Sequence, residues 1–454
     1  MDSMTNYRRL DDIYFTTDAM RNVFSDSNRI QKQMDCEAAL AKVEGALGII
    51  PKECAAEIQA KSSIQYIDFD ELRTSLVKTG HPFVALIKEY KTICKDNAGE
   101  YVHWGATTQD ILDTAAVLQI KEAYALIQDS AEKLLVILAN KSLEWKHLIM
   151  AGRSNGQQAI PITLGYKLAV WGFELLDDIL RLESGKERFF KGQFGGAVGT
   201  LASLGTQGLE IQRLFLNELG LYRPAIAWSS SRSHYSELVS NLAIMGATLG
   251  KIGSEVYALQ KNEIGELEEY QGDGSVGSST MPHKRNPFKA MQLSTNAKLI
   301  RGYAATMLES LETEHERDPR SASVETSVLE NSFSLLHASL EKGIHLIENL
   351  VVYPERMLDN LNVLHGLIFS EPIMLELGNH MGRQEAHHIV HELARESFER
   401  KVPFIDLLKN NTVVSQYMSE DRLDDIMKYE NYLGESEYFA ESFADKVKMY
   451  VSDK

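Results

Sequence analysis

Residues 277–287 read GSSTMPHKRNP. Two adjacent serines, a Met-Pro and a run of basic and amide side chains stand together in a chain whose net charge is -17. Small residues make such a segment a loop able to move. Ser278 and Ser279 bring hydroxyls and backbone N–H groups; Lys284 and Asn286 bring further donors. A loop of this make-up closes over an anionic substrate and carries a hydroxyl to one of its protons. A plain turn has no need of Met281-Pro282-His283-Lys284-Arg285-Asn286 in succession. A second group is HWGATTQD at 103–110, where a His, two Thr, a Gln and an Asp precede a helical pattern. The hydroxyls of Thr107 and Thr108 near a helix N-terminus suit a carboxylate; they suit a helix cap with polar residues to spare equally well. Other stretches say less. GQFGGAVGT (192–200) is Gly-rich, but it lacks the Lys-Ser/Thr of a phosphate-binding loop and follows no strand pattern. A tight interhelical connection is expected there. His81, in GHP, is a lone histidine, more often structural than functional, and EHERD (314–318) is a charge run that a solvated turn alone could explain.

Such groups need long elements to hold them. Only ten prolines occur, and none lies between Pro224 and Pro282, which permits long helices. Within 235–270, Leu238, Leu242, Met245, Leu249, Ile252, Val256 and Leu259 step alternately by four and three. That is the seam of helices packed nearly parallel. Similar periodicity runs through 116–145, 161–190, 290–312 and 326–350. Alternating strand patterns are scarce, so the predicted fold is all-α, with a central bundle of very long helices. PERMLDNLN (354–362) opens a more conventional helical region. A chain of 454 residues exceeds one ordinary core, and the predicted division is an N-terminal helical domain (1–115), a central bundle (116–359) and a C-terminal helical domain (360–454).

The charge balance, 47 Lys+Arg against 64 Asp+Glu, argues against nucleic acid or an anionic membrane as the main partner. A polyanionic small molecule is still compatible with local cations in a cleft. Cys36, Cys54 and Cys94 have no metal-ligand spacing and an odd count for disulfides, so they read as buried thiols of a reducing compartment. MDSMTNYRRLDD has no apolar run, and no window approaches a membrane-spanning length. A cytoplasmic protein without a membrane span is expected.

GSSTMPHKRNP fits every fixed position of the pattern GSSxMPxKxNP. HWGATTQD and GRSNGQQAIP (152–161) precede it, in the order of two further shared regions. On these motifs the chain resembles the fumarase/aspartase superfamily over essentially its whole length. The resemblance implies a three-domain, all-α homotetramer in which each active site draws on three subunits. It implies a small dicarboxylate as substrate and no metal or organic cofactor. The implied chemistry is a reversible anti β-elimination from a succinyl-type substrate. A base removes the Cβ proton, an aci-carboxylate forms, and the amine or oxygen leaves the neighbouring carbon. Ser278 matches the family's base. Ser279, Lys284 and Asn286 match positions that bind or stabilise the carboxylate, and Thr107 and Thr108 match carboxylate-binding positions. His103, Gln109, Arg153, Ser154, Asn155, Gln158 and Met281 lie in the same shared regions and are candidate substrate contacts. A serine is a weak base at its ordinary pKa. Loop closure, Lys284 and backbone N–H groups are expected to favour its alkoxide.

Two subgroups are similar, the adenylosuccinate lyases and the bacterial 3-carboxy-cis,cis-muconate cycloisomerases. FGGAVGTLASLG, GRQEAHHIVHEL and YENYLGESEYFAE look most like the latter. Adenylosuccinate lyases carry GRTHG, its His a general acid, where this chain has Asn155. Their phosphate-binding Ser and Arg are Ala322 and Thr326 here, and an N-terminal Arg-Tyr is Ile13-Tyr14. The cycloisomerase stretch WHTQRDR is WSSSRSH (228–234) here; that subgroup has Trp at Asn155 and Asn at His81. The substrate-shaping positions His81, Asn155, Ser231, His234, Ala322 and Thr326 therefore match neither subgroup. The expected activity is C–N cleavage of another succinyl adduct, releasing fumarate, with Ser278 as base and His81 as proton donor in place of the missing His. The alternatives are cycloisomerase-type intramolecular addition, adenylosuccinate cleavage, and a non-catalytic scaffold. Intact Ser278, Lys284 and Asn286 argue against the scaffold.

Overall fold

The computed structural model describes residues 10–272, 274, 278 and 280–454. About 70% of the chain is helical, and the described residues hold only four short strands. The helices that position the candidate residues are α1 (Asp26–Ala46), α2 (Phe69–Thr79), α3 (Pro82–Ile93), α4 (Thr108–Glu144), α5 (Leu164–Ser184), α6 (Ser233–Leu259), α7 (Phe288–Glu309), α8 (Pro319–Glu348) and α9 (Pro354–Asn362). The five expected periodic segments are helical over most of their length; the helix within 235–270 ends at Leu259, with Leu267–Glu268 in a strand, and 161–163 are strand as well. The seam residues Leu238, Leu242, Met245 and Leu249 are fully buried, as are Ile252, Val256 and Leu259. Each contributes about 1.5–3 kcal/mol of transfer free energy to the core. Helix starts follow local chemistry. Asp68 caps α2 by accepting the N–H groups of Asp70 and Glu71, and Pro82 and Pro354 open α3 and α9, where a missing N–H costs nothing.

The chain divides into two compact units. One comprises the described residues up to Ala131, then Asp178–Leu249 and Thr295–Glu341. Its interior is helical, and it buries Cys36, Leu40, Ile111, Phe215 and Phe333. The other comprises Glu132–Asp177, the described part of Gly250–Ser294, and Lys342–Lys454. It holds a C-terminal core built on Ile373, Leu377, Val390, Phe404, Leu408 and Leu423. It also holds the strands. β1 (Ile149–Ser154) and β2 (Gln157–Thr163) form an antiparallel hairpin with an irregularity between Ala151 and Arg153. β3 (Leu267–Glu268) pairs antiparallel with β4 (Val351–Val352). The hairpin was not expected from the sequence, although Asn155-Gly156 is its signal. No helix among the described residues is long and apolar enough to cross a membrane.

Candidate active site

In the first unit the site is built on the N-terminus of α4. The Thr107 N–H donates to Asp110 Oδ2 at 3.0 Å, and the Asp110 N–H donates to the Thr107 carbonyl at 3.0 Å. Asp110 is fully buried. It also accepts the N–H groups of Gly195 at 2.8 Å and Gly196 at 2.9 Å. Burial raises its pKa, and the backbone donors pull it back only in part. The Gly-rich loop is thus an internal connection, as expected, and its N–H groups serve a carboxylate of the chain itself. Glycine is required there: a Cβ on Gly195 would lie 2.8 Å from Gly199 Cα, and Gly196 has φ +74°. The first-turn N–H groups of Thr108 and Gln109 have no intrahelical acceptor. The Thr108 hydroxyl has no bond to another described residue, so the helix start presents a hydroxyl and free N–H groups to an anion.

Side chains from distant segments complete this region. Arg317 Nη1 donates to Thr107 Oγ1 at 2.9 Å. EHERD is therefore no bare solvated turn. Asp318 is buried, accepts the Arg320 N–H at 3.1 Å and starts α8 ahead of Pro319. The Asp-Pro pair was the available signal. Gln109 Nε2 donates to Asp113 Oδ1 at 2.6 Å. Asp113 in turn takes Arg232 Nη1 at 2.6 Å and Nη2 at 2.9 Å, and Arg232 Nε reaches Glu325 Oε1 at 2.8 Å.

His103 sits at φ +67° with Nδ1 2.7 Å from Glu37 Oε1 and its ring edge-on to Phe83. Burial lowers its pKa, but the Glu37 hydrogen bond and charge, helped by Asp110, outweigh that and raise it overall. A folded-state pKa above the unfolded one gives stability that is fully present below the unfolded value, about 6.5. It is lost as pH rises through the folded value. The stability difference between the native protein and Glu37→Gln is therefore expected to be larger at about pH 6 than at about pH 8. Denaturant titrations at the two pH values check this; an equal or inverted difference removes the pair as the cause.

In the second unit the hairpin and the signature loop are tied to one frame. Asn155 (φ +52°) and Gly156 (φ +77°) form the two-residue turn between the paired residues Ser154 and Gln157. Positive φ at both positions is what a type I′ turn demands and what Asn-Gly supplies. Asn155 and Ser154 are exposed. The Asn where adenylosuccinate lyases have His thus has a backbone reason of its own. Asn155→Val is expected to lower stability by about 1–2 kcal/mol, and Asn155→Gly, free of strain at positive φ, to leave it nearly unchanged. Unfolding midpoints that are the same for both variants would remove the turn requirement.

Arg153 forks onto Glu266, with Nη1–Oε2 2.9 Å and Nη2–Oε1 2.6 Å. Asn360 Nδ2 donates to the same carboxylate at 2.7 Å. Gln158 Nε2 donates to the Asn360 carbonyl at 2.7 Å. Arg153 and Gln158 thereby fix the hairpin to α9 and to the residue before β3. Nothing in the sequence pointed to Glu266.

The neck of the signature loop is closed by side chains. Gln260 accepts the Glu269 N–H at 2.9 Å and donates to the Arg285 carbonyl at 3.0 Å. Gln271 donates to the Asn286 carbonyl at 3.2 Å. The buried Glu269 caps α7 by accepting the N–H groups of Lys289 at 2.9 Å and Ala290 at 3.1 Å. Within the loop, Ser278 Oγ accepts the N–H groups of Thr280 at 3.3 Å and Met281 at 3.0 Å. Hydrogen bonds to the oxygen favour its anion. Met281 and Lys284 are exposed and Asn286 is half-buried; Ser279 lies outside the described residues.

The remaining positions separate into three groups. His81 is exposed and caps α3, its Nδ1 accepting the Val84 N–H at 3.4 Å. The proton of its neutral ring is then on Nε2. His234, expected to shape the substrate, is a core histidine. It is buried, set edge-on to Trp228 at 4.5 Å, and its pKa is lowered to about 3 by burial and by Arg232. It stays neutral because burial, Arg232 and Lys191 outweigh the backbone hydrogen bond to Ser231 that would favour the charged ring. Ala322 and Thr326 line a cavity of the first unit, together with Gln109.

Residues 12–302 match the lyase family, and residues 366–443 match the adenylosuccinate lyase C-terminus. The chain is 39% identical over 420 residues to an N-acetyl-S-(2-succino)cysteine lyase of Dickeya dadantii, covering 92% of each protein. It is 38% identical over 427 residues to an adenylosuccinate lyase of Methanocaldococcus jannaschii, covering 93% of this chain and 92% of that protein. The crystal structure of a 3-carboxy-cis,cis-muconate lactonizing enzyme from Pseudomonas putida superposes with a TM-score of 0.91 at 31% identity, over 97% of this chain and 99% of that one. Likeness of this extent in both sequence and fold makes the protein a lyase of the fumarase/aspartase superfamily.

Proposed function

We propose that the protein catalyses a reversible anti β-elimination that releases fumarate from a 2-succinyl adduct, with Ser278 as base. The observation that carries this is the pair of backbone N–H groups on Ser278 Oγ, which prepares that oxygen to exist as an alkoxide. The alkoxide takes the Cβ proton. The C–H electron pair passes into an aci-carboxylate and then into the new C=C bond, while the leaving atom departs with the electrons of its own bond to carbon. The electron count closes without an oxidant or reductant. Ser279, Lys284 and Asn286 hold the carboxylate on which charge develops. Thr107, Thr108 and Gln109, with His103 behind them, receive the other carboxylate at the start of α4. The hairpin residues Arg153, Ser154, Asn155 and Gln158, and Met281 of the loop, shape the cleft.

The expected C–N cleavage needs a proton on the departing nitrogen, and Asn155 cannot supply one. A thiolate is a far better leaving group, since thiols ionise near pH 8.5. Together with the Dickeya relative's substrate, this favours sulfur as the atom eliminated. His81 Nε2 is the donor if nitrogen leaves. His81→Asn should then lower turnover of amine adducts more than of thioethers; equal losses would remove the donor role.

We place complete sites in a homotetramer that draws each one from three subunits, with the domain division at 115 and 360. Val136, Leu143, Val170, Ile244, Leu299 and Leu308 stand exposed on the long helices, apolar surface that an oligomer covers. The deciding assay offers thioether adducts, amine adducts and 3-carboxymuconate separately and follows fumarate. Fumarate from thioethers supports the reading. Turnover of amine adducts alone would return nitrogen as the leaving atom, and lactone from carboxymuconate alone would replace elimination by cycloisomerisation.

A further inference from the structure

The segment Leu10–Thr17 runs over the first unit as a strap. A 3₁₀ turn (Leu10–Tyr14) opens it, the short helix Asp18–Val23 follows it, and none of its residues is buried. A segment that buries so little apolar surface sits at the low end of local stability and depends on its polar ties. Asn296 of α7 donates to the Tyr14 carbonyl at 3.2 Å. Thr17 is tied more deeply. Its Oγ1 caps the short helix by accepting the Met20 N–H at 3.2 Å, and it lies 2.7 Å from Nδ1 of His337 on α8. The other ring nitrogen, Nε2, is 3.2 Å from Ser130 Oγ on α4, and Ser130 Oγ donates to Glu341 Oε1 at 2.7 Å. His337 and Ser130 are both buried. The carboxylate end fixes the order of protons along this chain. A serine has one hydroxyl hydrogen. Since it goes to Glu341, Ser130 accepts from His337, Nε2 carries the ring proton, and Nδ1 accepts the Thr17 hydroxyl. Only the neutral ring fits, because a proton on Nδ1 takes that acceptor from Thr17. Burial opposes the charged ring and lowers its pKa; Glu341 and Asp129 favour the charge without overcoming burial. On the strap's side, Asp18 is exposed and paired with Arg21. Asp12, Phe15 and Thr16 of the strap wall a cavity of about 720 Å³. Phe24, Arg29 and Thr326 line both this cavity and the one lined by Gln109, so the strap bounds space that adjoins the start of α4.

We propose that His337 is a positioning residue: its neutral ring latches the strap Leu10–Thr17 onto α8, and the latched strap is the wall against which the substrate rests beyond its carboxylates. The inference rests on the proposed elimination at the start of α4 and adds to it a residue that touches no substrate. Acid releases the latch. A folded-state pKa below the unfolded one means that the latch is complete above the unfolded value, about 6.5. It weakens as pH falls from there towards the folded value. The short helix then loses its cap and the strap its tie to the bundle in one event, because both pass through Thr17 Oγ1.

Hydrogen exchange of residues 10–23, corrected for the intrinsic rate at each pH, reads the latch without turnover. Between about pH 8 and about pH 5 the native protein should lose protection there by about tenfold, the worth of one hydrogen bond. His337→Gln keeps a polar side chain that does not titrate, and its exchange should be the same at both pH values. Thr17→Val changes a half-buried surface position, where folding is not at stake, and should exchange at about pH 8 as fast as the native protein does at about pH 5. Kinetics supply the second readout, with the 2-succinyl thioether of mercaptoethanol as the probe. Thr17→Val should raise its KM by about tenfold with kcat little changed, the pattern of lost binding outside the reacting atoms. Exchange that ignores pH in the native protein, or a pH dependence that survives in His337→Gln, overturns the latch. A strap that opens while KM stays fixed overturns the positioning role and leaves the elimination in place. If no succinyl adduct is turned over, the elimination and the positioning role fall together, and the exchange data still decide the latch.

Discussion

Ser278→Ala lowers kcat by about 10³- to 10⁴-fold, the range lost when a positioned base is removed, with the oligomer and the unfolding midpoint unchanged. The hydroxyl is the only group lost, and it lies on a loop rather than in a core. Its two partners are the N–H groups of Thr280 and Met281, which face solvent or substrate once the oxygen is gone. Substrate affinity should change little, since Lys284, Asn286 and the start of α4 are untouched. Loss of kcat without a matching rise in KM is the signature of a group that acts mainly in the transition state. Ser278→Cys separates the base from the loop's shape, because it restores an ionisable group at that position. A Ser278→Ala rate within about tenfold of the native enzyme would assign the proton transfer to another residue.

Arg232→Met destabilises the protein by about 3–5 kcal/mol, the cost of leaving buried charges without their partner. Arg232 is 4% exposed and holds both Asp113 and Glu325, 119 and 93 residues away in the chain. Its guanidinium also lies over Trp228 at 4.7 Å and Tyr235 at 5.2 Å. Methionine fills much of the volume and supplies neither the charge nor the fork of donors. Arg232→Lys keeps the charge but cannot serve two carboxylates bidentately, so an intermediate loss is expected. The effect reaches the site as well, because Asp113 is the acceptor that orients Gln109. Denaturant midpoints of the three proteins give the order. A loss below about 1 kcal/mol for Arg232→Met would mean that water or a rearranged side chain compensates the two acids.

The contrast between Asn155 and His234 shows how much of the site was legible beforehand. Both were read as substrate-shaping departures. Asn155 has a local reason, the positive φ of a two-residue turn, and Asn-Gly was present to be read. His234 has a tertiary one, since only packing against Trp228 and Arg232 makes it a buried neutral ring. A solvated turn alone could explain EHERD as a charge run in the sequence; Arg317 is exposed, yet it donates to Thr107, 210 residues away.

By itself, the sequence determined the helical architecture, the seven-residue seam of α6 and membership of the lyase superfamily, carried by GSSTMPHKRNP. Helical periodicity depends on residues three and four apart, and the signature is a run of side chains within a single loop. Only the tertiary structure decided which charges are spent and which are free. Arg153 is held by Glu266, 113 residues away, and Asp110 gathers the Gly-rich loop from 85 residues away. The buried Tyr235 hydroxyl has no partner among the described residues. Composition counts charges and donors; the packing of distant helices fixes their partners, and a charge that already has a partner cannot bind substrate.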